Sequence, residues 1–173
     1  MITYRQLKDL GVGLDQLTLF RARFSDGPMA VTVDNCLGFL REWSYTRLLS
    51  PTGQAAYHAA LIPAEAAYEA IKALALAVYT AAVAQAWADH DAVRAPNRAA
   101  YEAALAQTSG AFDTAQVLAW KAYYAAQAPA RAAYVAVQAP AGEARDVAMV
   151  QAQSTLMLAQ AVAFVEIYKR ENP

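Results

Sequence analysis

The chain is poor in cysteine and charge. Cys36 is the single cysteine among 173 residues, so no intrachain disulfide can form and a reducing compartment is expected. The N-terminal decapeptide MITYRQLKDL has no apolar run of the kind found in secretion signals. Charged residues make up only 17 % of the chain against 58 % apolar ones, which excludes disorder driven by charge excess.

No part of the chain is strongly basic. Residues 1–51 carry six basic and five acidic side chains, and residues 52–173 carry eight and ten. Neither charge density favours a phosphate backbone, so nucleic acid is not an expected partner. The longest uncharged stretch, 147–165, would just span a bilayer, but five Gln, Ser and Thr residues interrupt it. It predicts a helix buried in a bundle, and a membrane is not the expected partner.

Alanine is abundant and strictly periodic. When residues 52–172 are cut into eleven blocks of eleven, each of their 42 alanines falls in columns two, four, five, eight, nine or eleven. Eleven residues close on three helical turns, so each column keeps one direction around a helix. The pattern predicts an all-α protein: a small N-terminal helical module over 1–50, then an alanine-rich antiparallel helical bundle built from undecads over 52–172.

The other columns give each block two distinct faces. Column six is mostly aromatic, with Tyr57, Tyr68, Tyr79, Tyr101, Phe112, Tyr123 and Tyr134 among its members, and His90 in the same position. Columns three, seven and ten are mostly polar and form a stripe. Because a buried alanine methyl contributes at most about 0.8 kcal/mol, the column-six aromatics are expected to supply much of the packing energy.

Prolines and glycines suggest where the helices end. Pro140 with Gly142 is the strongest pair of helix breakers, followed by residues 94–97 around Pro96 and then by Thr108-Ser109-Gly110. These signals favour long helices near 55–94, 97–139 and 143–170, with breaks near 95–97 and 140–142. Kinks at Pro63 and Pro129 are favoured, but the sequence leaves open whether Pro63, Pro96 and Pro129 kink helices or begin them. The block from Leu74 has no polar column and is expected to be central, and the last two blocks are expected to be equally buried.

The N-terminal module has its own helix signals. Thr3 and Gln6 fit a capping box and Gly11 a C-terminal stop, which predicts a helix near 4–10. Apolar spacing predicts a second helix over 14–24, and residues 25–28 read as a turn. Residues 31–33 could be a short extended segment, or Thr32 or Asp34 could cap a third helix that carries Cys36. Residues 43–49 are expected to complete the module.

The N-terminal sequence pattern and the repeats resemble those of a known group of sequences. The matching positions are Leu7, Gly11, Gln16, Leu17, Phe20, Arg21, Phe24, Val31, Thr32, Cys36 and the Leu48-Leu49-Ser50 entry to undecads such as PARAAYVAV. With these, the chain is similar to an uncharacterised family of small alanine-rich undecapeptide-repeat proteins from bacterial and phage or prophage genomes. Only four of the eleven blocks keep the column-one proline. The resemblance implies no activity; it implies a phage or mobile-element role in the bacterial cytoplasm.

Catalytic and metal signatures are weak. Asp89-His90-Asp91 is the one acid and histidine cluster, but adjacent helical residues point about 100° apart and no second His or Cys follows one turn later. Cys36 has no nucleophile signature and is expected to be a buried structural thiol. Gly11-Val12-Gly13 lacks the strand and third glycine of a dinucleotide loop. We therefore expect no enzyme, no cofactor and no metal site.

Aromatic residues in the polar stripe are the best binding candidates. Trp87 and Trp120 occupy column three, and Tyr124 and Tyr168 occupy column seven. Either a neighbouring helix or the N-terminal module covers them, or they are exposed anchors for a partner, since Trp, Tyr and Arg dominate binding hot spots. The second interpretation gives Trp87, Trp120, Tyr124, Arg98 and Arg131 as partner-binding residues.

Two classes of function remain open, with a third less favoured. The first is a non-enzymatic helical interaction protein, encoded by a phage and binding a host protein. The second is a structural protein that self-assembles into homo-oligomers or a filament through its alanine faces. Binding to a membrane surface is the third, and it is disfavoured because the polar columns are not rich in lysine.

Overall fold

The computed structural model describes residues 1–25, 27–37, 45–106 and 112–173. Its elements in chain order are helices α1 (Tyr4–Asp9), α2 (Leu14–Phe24) and α3 (Val33–Leu37), a 3₁₀ turn (Tyr45–Leu48), and helices α4 (Pro51–Ala106) and α5 (Phe112–Glu171). In these ranges the one extended pairing is an isolated bridge between Ile2 and Met29. The all-α prediction is confirmed.

The short helices begin and end where local chemistry predicts. The backbone N–H of Gln6 donates to Thr3 Oγ1 at 3.3 Å and that of Thr3 to Gln6 Oε1 at 2.8 Å, which completes the capping box of α1. Gly11 follows the C-cap with φ of 71°, a backbone conformation that suits glycine. Helix α2 spans the predicted 14–24.

Residues Val33–Leu37 form a helix, which is one of the two alternatives that the sequence allowed for this segment. Thr32 Oγ1 accepts the backbone N–H of Asn35 at 3.2 Å, so Thr32 caps α3, which carries Cys36. Residues 38–44, which hold Phe39, Leu40 and part of the segment expected to complete the module, lie outside the described residues.

Two long helices replace the three that were expected. Helix α4 continues through 95–97 and α5 continues through 140–142, so both predicted breaks are wrong. Pro63, Pro96, Pro129 and Pro140 therefore lie inside helices and do not begin them. The third breaker, at 108–110, lies outside the described residues, between the end of α4 at Ala106 and the start of α5 at Phe112.

The physical reason is the relative cost of a proline and of a chain reversal. A proline inside a helix removes one hydrogen bond and crowds one carbonyl, at about 3 kcal/mol. Ending one helix and starting another leaves four C=O and four N–H groups without helical partners. The residues beside Pro96 and Pro140 are mostly alanines, which have the highest helix propensity. The helix therefore continues past these prolines.

The chain divides into two compact units. Unit 1 comprises Met1–Ile71 and Val150–Pro173, and unit 2 comprises Lys72–Met149. The N-terminal module thus shares its unit with the start of α4 and the end of α5. The core of unit 1 is formed by apolar side chains from all of these segments: Ile2, Leu7, Leu17, Phe20, Met29, Val31, Cys36, Leu49, Tyr57, Leu61, Ala161, Ala163, Phe164, Val165, Ile167 and Tyr168.

Two residues with candidate roles lie in this core. Cys36 has no exposed surface, and desolvation by burial raises the pKa of its thiol to about 11. It is therefore the buried thiol that the sequence predicts, with little thiolate at neutral pH. Tyr168 is 5 % exposed and its Oη donates to the carbonyl oxygen of Met1 at 3.0 Å. For Tyr168, coverage by the N-terminal module is confirmed.

A carboxylate from the end of α5 caps the start of α4. Ser50 donates its backbone N–H to Glu171 Oε2 at 3.0 Å and its Oγ to Glu171 Oε1, while Gly53 N–H donates to Ser50 Oγ at 3.1 Å. The hydrogen bonds from the side chain and backbone of Ser50 lower the pKa of Glu171. Gly53 leaves room for this carboxylate, because a Cβ there would lie 2.6 Å from Glu171 Cδ.

This cap predicts that the effect of Gly53→Ala on stability differs between the wild-type chain and a Glu171→Ala chain. In a Glu171→Ala chain the added methyl should stabilise α4 by up to about 1 kcal/mol through helix propensity. In the wild-type chain the methyl displaces the carboxylate, so the gain should vanish or become a loss. Urea unfolding of the wild type, both single variants and the double variant measures this coupling. Equal effects of Gly53→Ala in both backgrounds would contradict the cap.

Column six is the inward direction of both long helices. All of its described side chains are buried or half-buried: Tyr57, Tyr68, Tyr79, His90, Tyr101, Tyr123, Tyr134, Arg145, Leu156 and Ile167. The side chain of Phe112 lies outside the described residues. The undecad therefore identifies the packing face correctly along both helices.

In unit 2 the column-six side chains of α4 and α5 meet one another. The rings of Tyr101 and Tyr123 lie 5.6 Å apart, and those of His90 and Tyr134 lie 6.4 Å apart. One block further, the guanidinium of Arg145 lies 4.6 Å from the ring centre of Tyr79. Each step of eleven residues back along α4 thus matches eleven forward along α5. The repeat sets the register of the antiparallel pair.

Unit 2 has little core beyond this ladder of rings. Among its described residues only the small Ala86 is buried. Leu74, Leu76 and Val78 are 66 %, 55 % and 61 % exposed, so the expectation that this block is central is wrong. A helix with one neighbour covers one face, whereas a three-helix bundle would have covered a second. Of the last two blocks, the final one is well buried, with Phe164 and Ile167 in the core of unit 1.

Candidate functional site

Unit 2 contains a cleft between α4 and α5 that we call the Trp87–Arg131 cleft. Its volume is about 400 Å³, within the usual range of ligand pockets. Four aromatic residues line it: Trp87, Tyr123, Tyr124 and Tyr134. Its remaining lining residues all carry nitrogen donors: His90, Arg94, Gln127 and Arg131. Concavity, aromatic walls and several polar groups are the usual features of a binding site.

The facing pairs of column-six side chains, which we call the column-six ladder, determine the position of the cleft. His90 and Tyr134 form one rung, and Tyr123 belongs to the next rung with Tyr101. Trp87 packs against Tyr134 at 5.0 Å between ring centres and contacts the ring of His90 edge-on at 5.6 Å. These rings hold the indole in place by contacts from both helices. The aromatic wall is therefore built into the helix pair.

The charge of the cleft is positive. Arg94 and Arg131 are its two charged lining residues, and no acidic side chain lines it. Two acidic residues lie nearby on α4: Asp89 Oδ1 accepts from Gln85 Nε2 at 2.9 Å, and Asp91 Oδ1 lies 3.5 Å from His90 Nδ1. Unit 2 as a whole carries six basic and six acidic residues, so the positive charge of the cleft is a local feature.

Two buried nitrogen atoms of the cleft residues have no hydrogen-bond partner among the described residues. They are His90 Nδ1 and Gln127 Nε2. The 3.5 Å approach of Asp91 to His90 is too long for a good hydrogen bond. A buried donor without an acceptor typically costs about 1–3 kcal/mol. The cleft therefore has polar groups that the folded chain itself does not satisfy.

Three of the five predicted partner-binding residues line this cleft. Trp87 of α4 meets Tyr124 and Arg131 of α5 there; Trp87 and Arg131 occupy column three and Tyr124 occupies column seven. Trp87 and Tyr124 remain 48 % and 51 % exposed, so each is only partly covered within unit 2. Their role as anchors for a partner stays a prediction.

The other two predicted residues lie outside the cleft. Trp120 is 50 % exposed; its ring packs 4.5 Å from that of Tyr124 and lines a separate shallow pocket with Lys121. Arg98 does not line the cleft, and its Nε donates to Glu102 Oε1 at 2.9 Å one turn along α4. This hydrogen bond raises the pKa of Arg98, as expected for a paired guanidinium.

Arg94 and Gln127 also line the cleft, although neither was predicted from the sequence as a site residue. Each looked like an ordinary solvated residue of the polar stripe. They can be identified once the register of α4 against α5, which column six sets, is known. Once His90 faces Tyr134, Arg94 on α4 comes level with Arg131 on α5, and Gln127 lies one turn before Arg131. The missing information was which blocks of the two helices face each other.

The remaining candidates show no assembled site. In the described part of the chain no group of three or more His, Cys, Asp or Glu side chains is placed to hold a metal ion. Cys36 lies in the core of unit 1, and His90 belongs to the aromatic ladder of unit 2.

Both long helices also contain strongly apolar windows. An 18-residue window in α4 has mean hydropathy 1.4 with 6 % of it buried, and one in α5 has mean hydropathy 1.3 with 22 % buried. By length and composition either helix could cross a membrane. Much of this apolar surface consists of alanine methyl groups and single exposed Leu and Val side chains.

Searches against protein-family profiles, curated proteins and solved structures find no match to this chain.

Proposed function

We propose that this protein is a non-enzymatic helical interaction protein that binds another protein through the Trp87–Arg131 cleft. The observation that carries the proposal is the convergence of Trp87, Tyr124 and Arg131 in one concave site. These are the residue types that dominate protein-binding hot spots. In line with the family resemblance, the partner is a host protein in the bacterial cytoplasm, and the protein itself is encoded by a phage or prophage.

Two features of the cleft support a binding role. Its rings are braced by contacts across the two helices, so the anchors need little ordering when a partner binds. Trp87 and Tyr124 are about half exposed, which leaves apolar area for a partner to cover. A partner that buries both rings removes apolar surface from water, which contributes about 25 cal/mol per Å².

Self-assembly is the second candidate, and exposed apolar side chains away from the cleft favour it. Leu74, Leu76 and Val78 on α4 and Val117 and Leu118 on α5 are each more than half exposed. Apolar surface of this kind often marks an interface. Sedimentation equilibrium of the full chain tests this candidate, because assembly through these faces predicts an oligomer and a monomer at high concentration contradicts it.

Photo-cross-linking in bacterial cells tests the proposed function. The photoreactive residue p-benzoylphenylalanine replaces Trp120, whose ring lies beside the cleft, and in a control chain it replaces the exposed Leu14 of unit 1. We expect the probe at 120 to cross-link a partner protein that the probe at 14 does not. Adding Trp87→Ala or Tyr124→Ala should weaken this cross-link at least tenfold, as expected for hot-spot residues.

Two outcomes contradict the proposal. The absence of any cross-link that depends on Trp87 or Tyr124 would contradict binding through the cleft. Cross-linking to a second copy of the chain alone would favour the self-assembly alternative. Circular dichroism of each variant shows that a lost cross-link does not come from an unfolded protein.

A further inference from the structure

The charges of the cleft specify the chemistry of what binds there. We propose that the Trp87–Arg131 cleft receives an acidic segment of its partner, in which a Glu or Asp carboxylate lies between Arg94 and Arg131 and neighbouring apolar side chains rest on the aromatic wall. This inference rests on the proposed function and adds the nature of the bound segment.

The two arginines supply the charge of the cleft. The register of the helix pair brings Arg94 level with Arg131, and no acidic residue lines the cleft with them. Neither guanidinium forms an ion pair with a described residue, in contrast to Arg98 and Glu102 in the same unit. A carboxylate in the cleft would have opposite charge to both arginines. Guanidinium groups also match carboxylates in planar, two-pronged hydrogen bonds.

The unsatisfied amide adds a third donor. Gln127 lies one turn before Arg131 on α5, and its Nε2 is buried without an acceptor. Because this nitrogen is buried, the Gln127 side chain would have to rotate to donate to a carboxylate bound at Arg131. An acceptor from the partner would then remove a cost that the unbound protein carries. Among the described cleft residues, the buried polar atoms without a partner are both nitrogens, Gln127 Nε2 and His90 Nδ1.

The aromatic wall selects a peptide over a small inorganic anion. Trp87, Tyr123, Tyr124 and Tyr134 offer apolar ring surface on the same cleft. Phosphate is fully polar and gains nothing from such surface. A volume of about 400 Å³ holds an acidic side chain together with apolar neighbours. The combination fits a peptide in which acidic and apolar residues are adjacent.

Fluorine NMR of the full chain labelled with 5-fluorotryptophan tests the inference. The probe is an acetylated, amidated hexapeptide of alternating leucine and glutamate, compared with its leucine and glutamine counterpart and with inorganic phosphate. We expect the glutamate peptide to shift the Trp87 resonance in a saturable way, and to bind at least tenfold more tightly than the glutamine peptide. Added salt should weaken binding.

Arginine variants separate the cleft from general charge. Arg94→Gln and Arg131→Gln should each weaken the glutamate peptide about tenfold, which corresponds to about 1.4 kcal/mol. Arg98→Gln removes the same charge outside the cleft and should leave binding within twofold. Equal binding of the two peptides, an equal effect of Arg98→Gln, or phosphate shifting Trp87 as strongly as the peptide would each overturn the inference.

The inference and the proposed function can fail separately. If the cross-link at position 120 depends on Trp87 but survives Arg94→Gln and Arg131→Gln, the protein binds a partner that is not acidic at this point. If no cross-link depends on Trp87, the proposed function fails first and the inference fails with it.

Discussion

Replacing Phe164 by alanine should destabilise unit 1 by about 3–5 kcal/mol, the usual cost of removing a fully buried phenylalanine. Phe164 has no exposed surface and lies in the core where the end of α5 meets the N-terminal module and the start of α4. Its ring packs 5.6 Å from that of Tyr168, which is hydrogen-bonded to Met1. The cavity would therefore weaken contacts among all three segments of this unit.

Urea unfolding followed by far-UV circular dichroism measures this loss, with Leu158→Ala as the matched control. Leu158 lies on the same helix and in the same unit but is 47 % exposed. Its replacement should change stability by less than about 1 kcal/mol. Because domains of this size are stable by about 5–15 kcal/mol, the Phe164 variant should lose a large share of its stability and the Leu158 variant very little. Similar losses in both variants would mean that the core of unit 1 is not where the structure places it.

The sequence predicts the helices and the face on which they pack. Periodicity is the reason: a column that returns to the same direction every three turns must be either buried or exposed along the whole helix. Column six predicts that its side chains on one helix face its side chains on the other, as Tyr101 with Tyr123 and His90 with Tyr134 do. The capping box of Thr3 and Gln6 likewise predicted α1, and the spacing of apolar residues predicted α2.

Periodicity cannot say where the chain reverses. A turn near 95–96 would place His90 opposite Tyr101, and a turn near 139–140 would place Tyr134 opposite Arg145. In both alternative hairpins the column-six side chains of one helix face those of the other, as they do in the observed hairpin. The repeat alone therefore does not distinguish these hairpins. The free-energy cost of interrupting the helix at each position decides among them.

The same ambiguity explains which part of the candidate site was predicted. Trp87, Tyr124 and Arg131 were identifiable by residue type and column, without knowledge of the fold. Arg94 and Gln127 become site residues only when α4 and α5 are paired in one particular register. In this repeat protein, candidate binding residues can be recognised within single blocks, but the complete site can be predicted only when the facing blocks are known.

Replacing Pro96 by alanine should stabilise unit 2 by up to about 3 kcal/mol, and Pro140→Ala should act in the same direction. Both prolines lie inside helices that continue past them. Each lacks the N–H that would bond the carbonyl of the fourth residue before it, Ala92 or Ala136, and its ring crowds that carbonyl. Alanine restores the hydrogen bond and removes the crowding. Amide hydrogen exchange across residues 72–149 measures the gain where it arises.

Pro51→Ala is the matched control, because Pro51 is the first residue of α4. At that position a helix has no use for the missing N–H and the fixed φ of proline suits the first turn, so alanine should leave stability unchanged or slightly lower it. The contrast tests the central correction made by the structure. If Pro96→Ala behaves like Pro51→Ala, a helix begins at residue 96, the three-helix arrangement holds, and Arg94 no longer comes level with Arg131. A stabilisation confined to the interior prolines supports the uninterrupted pair on which the Trp87–Arg131 cleft depends.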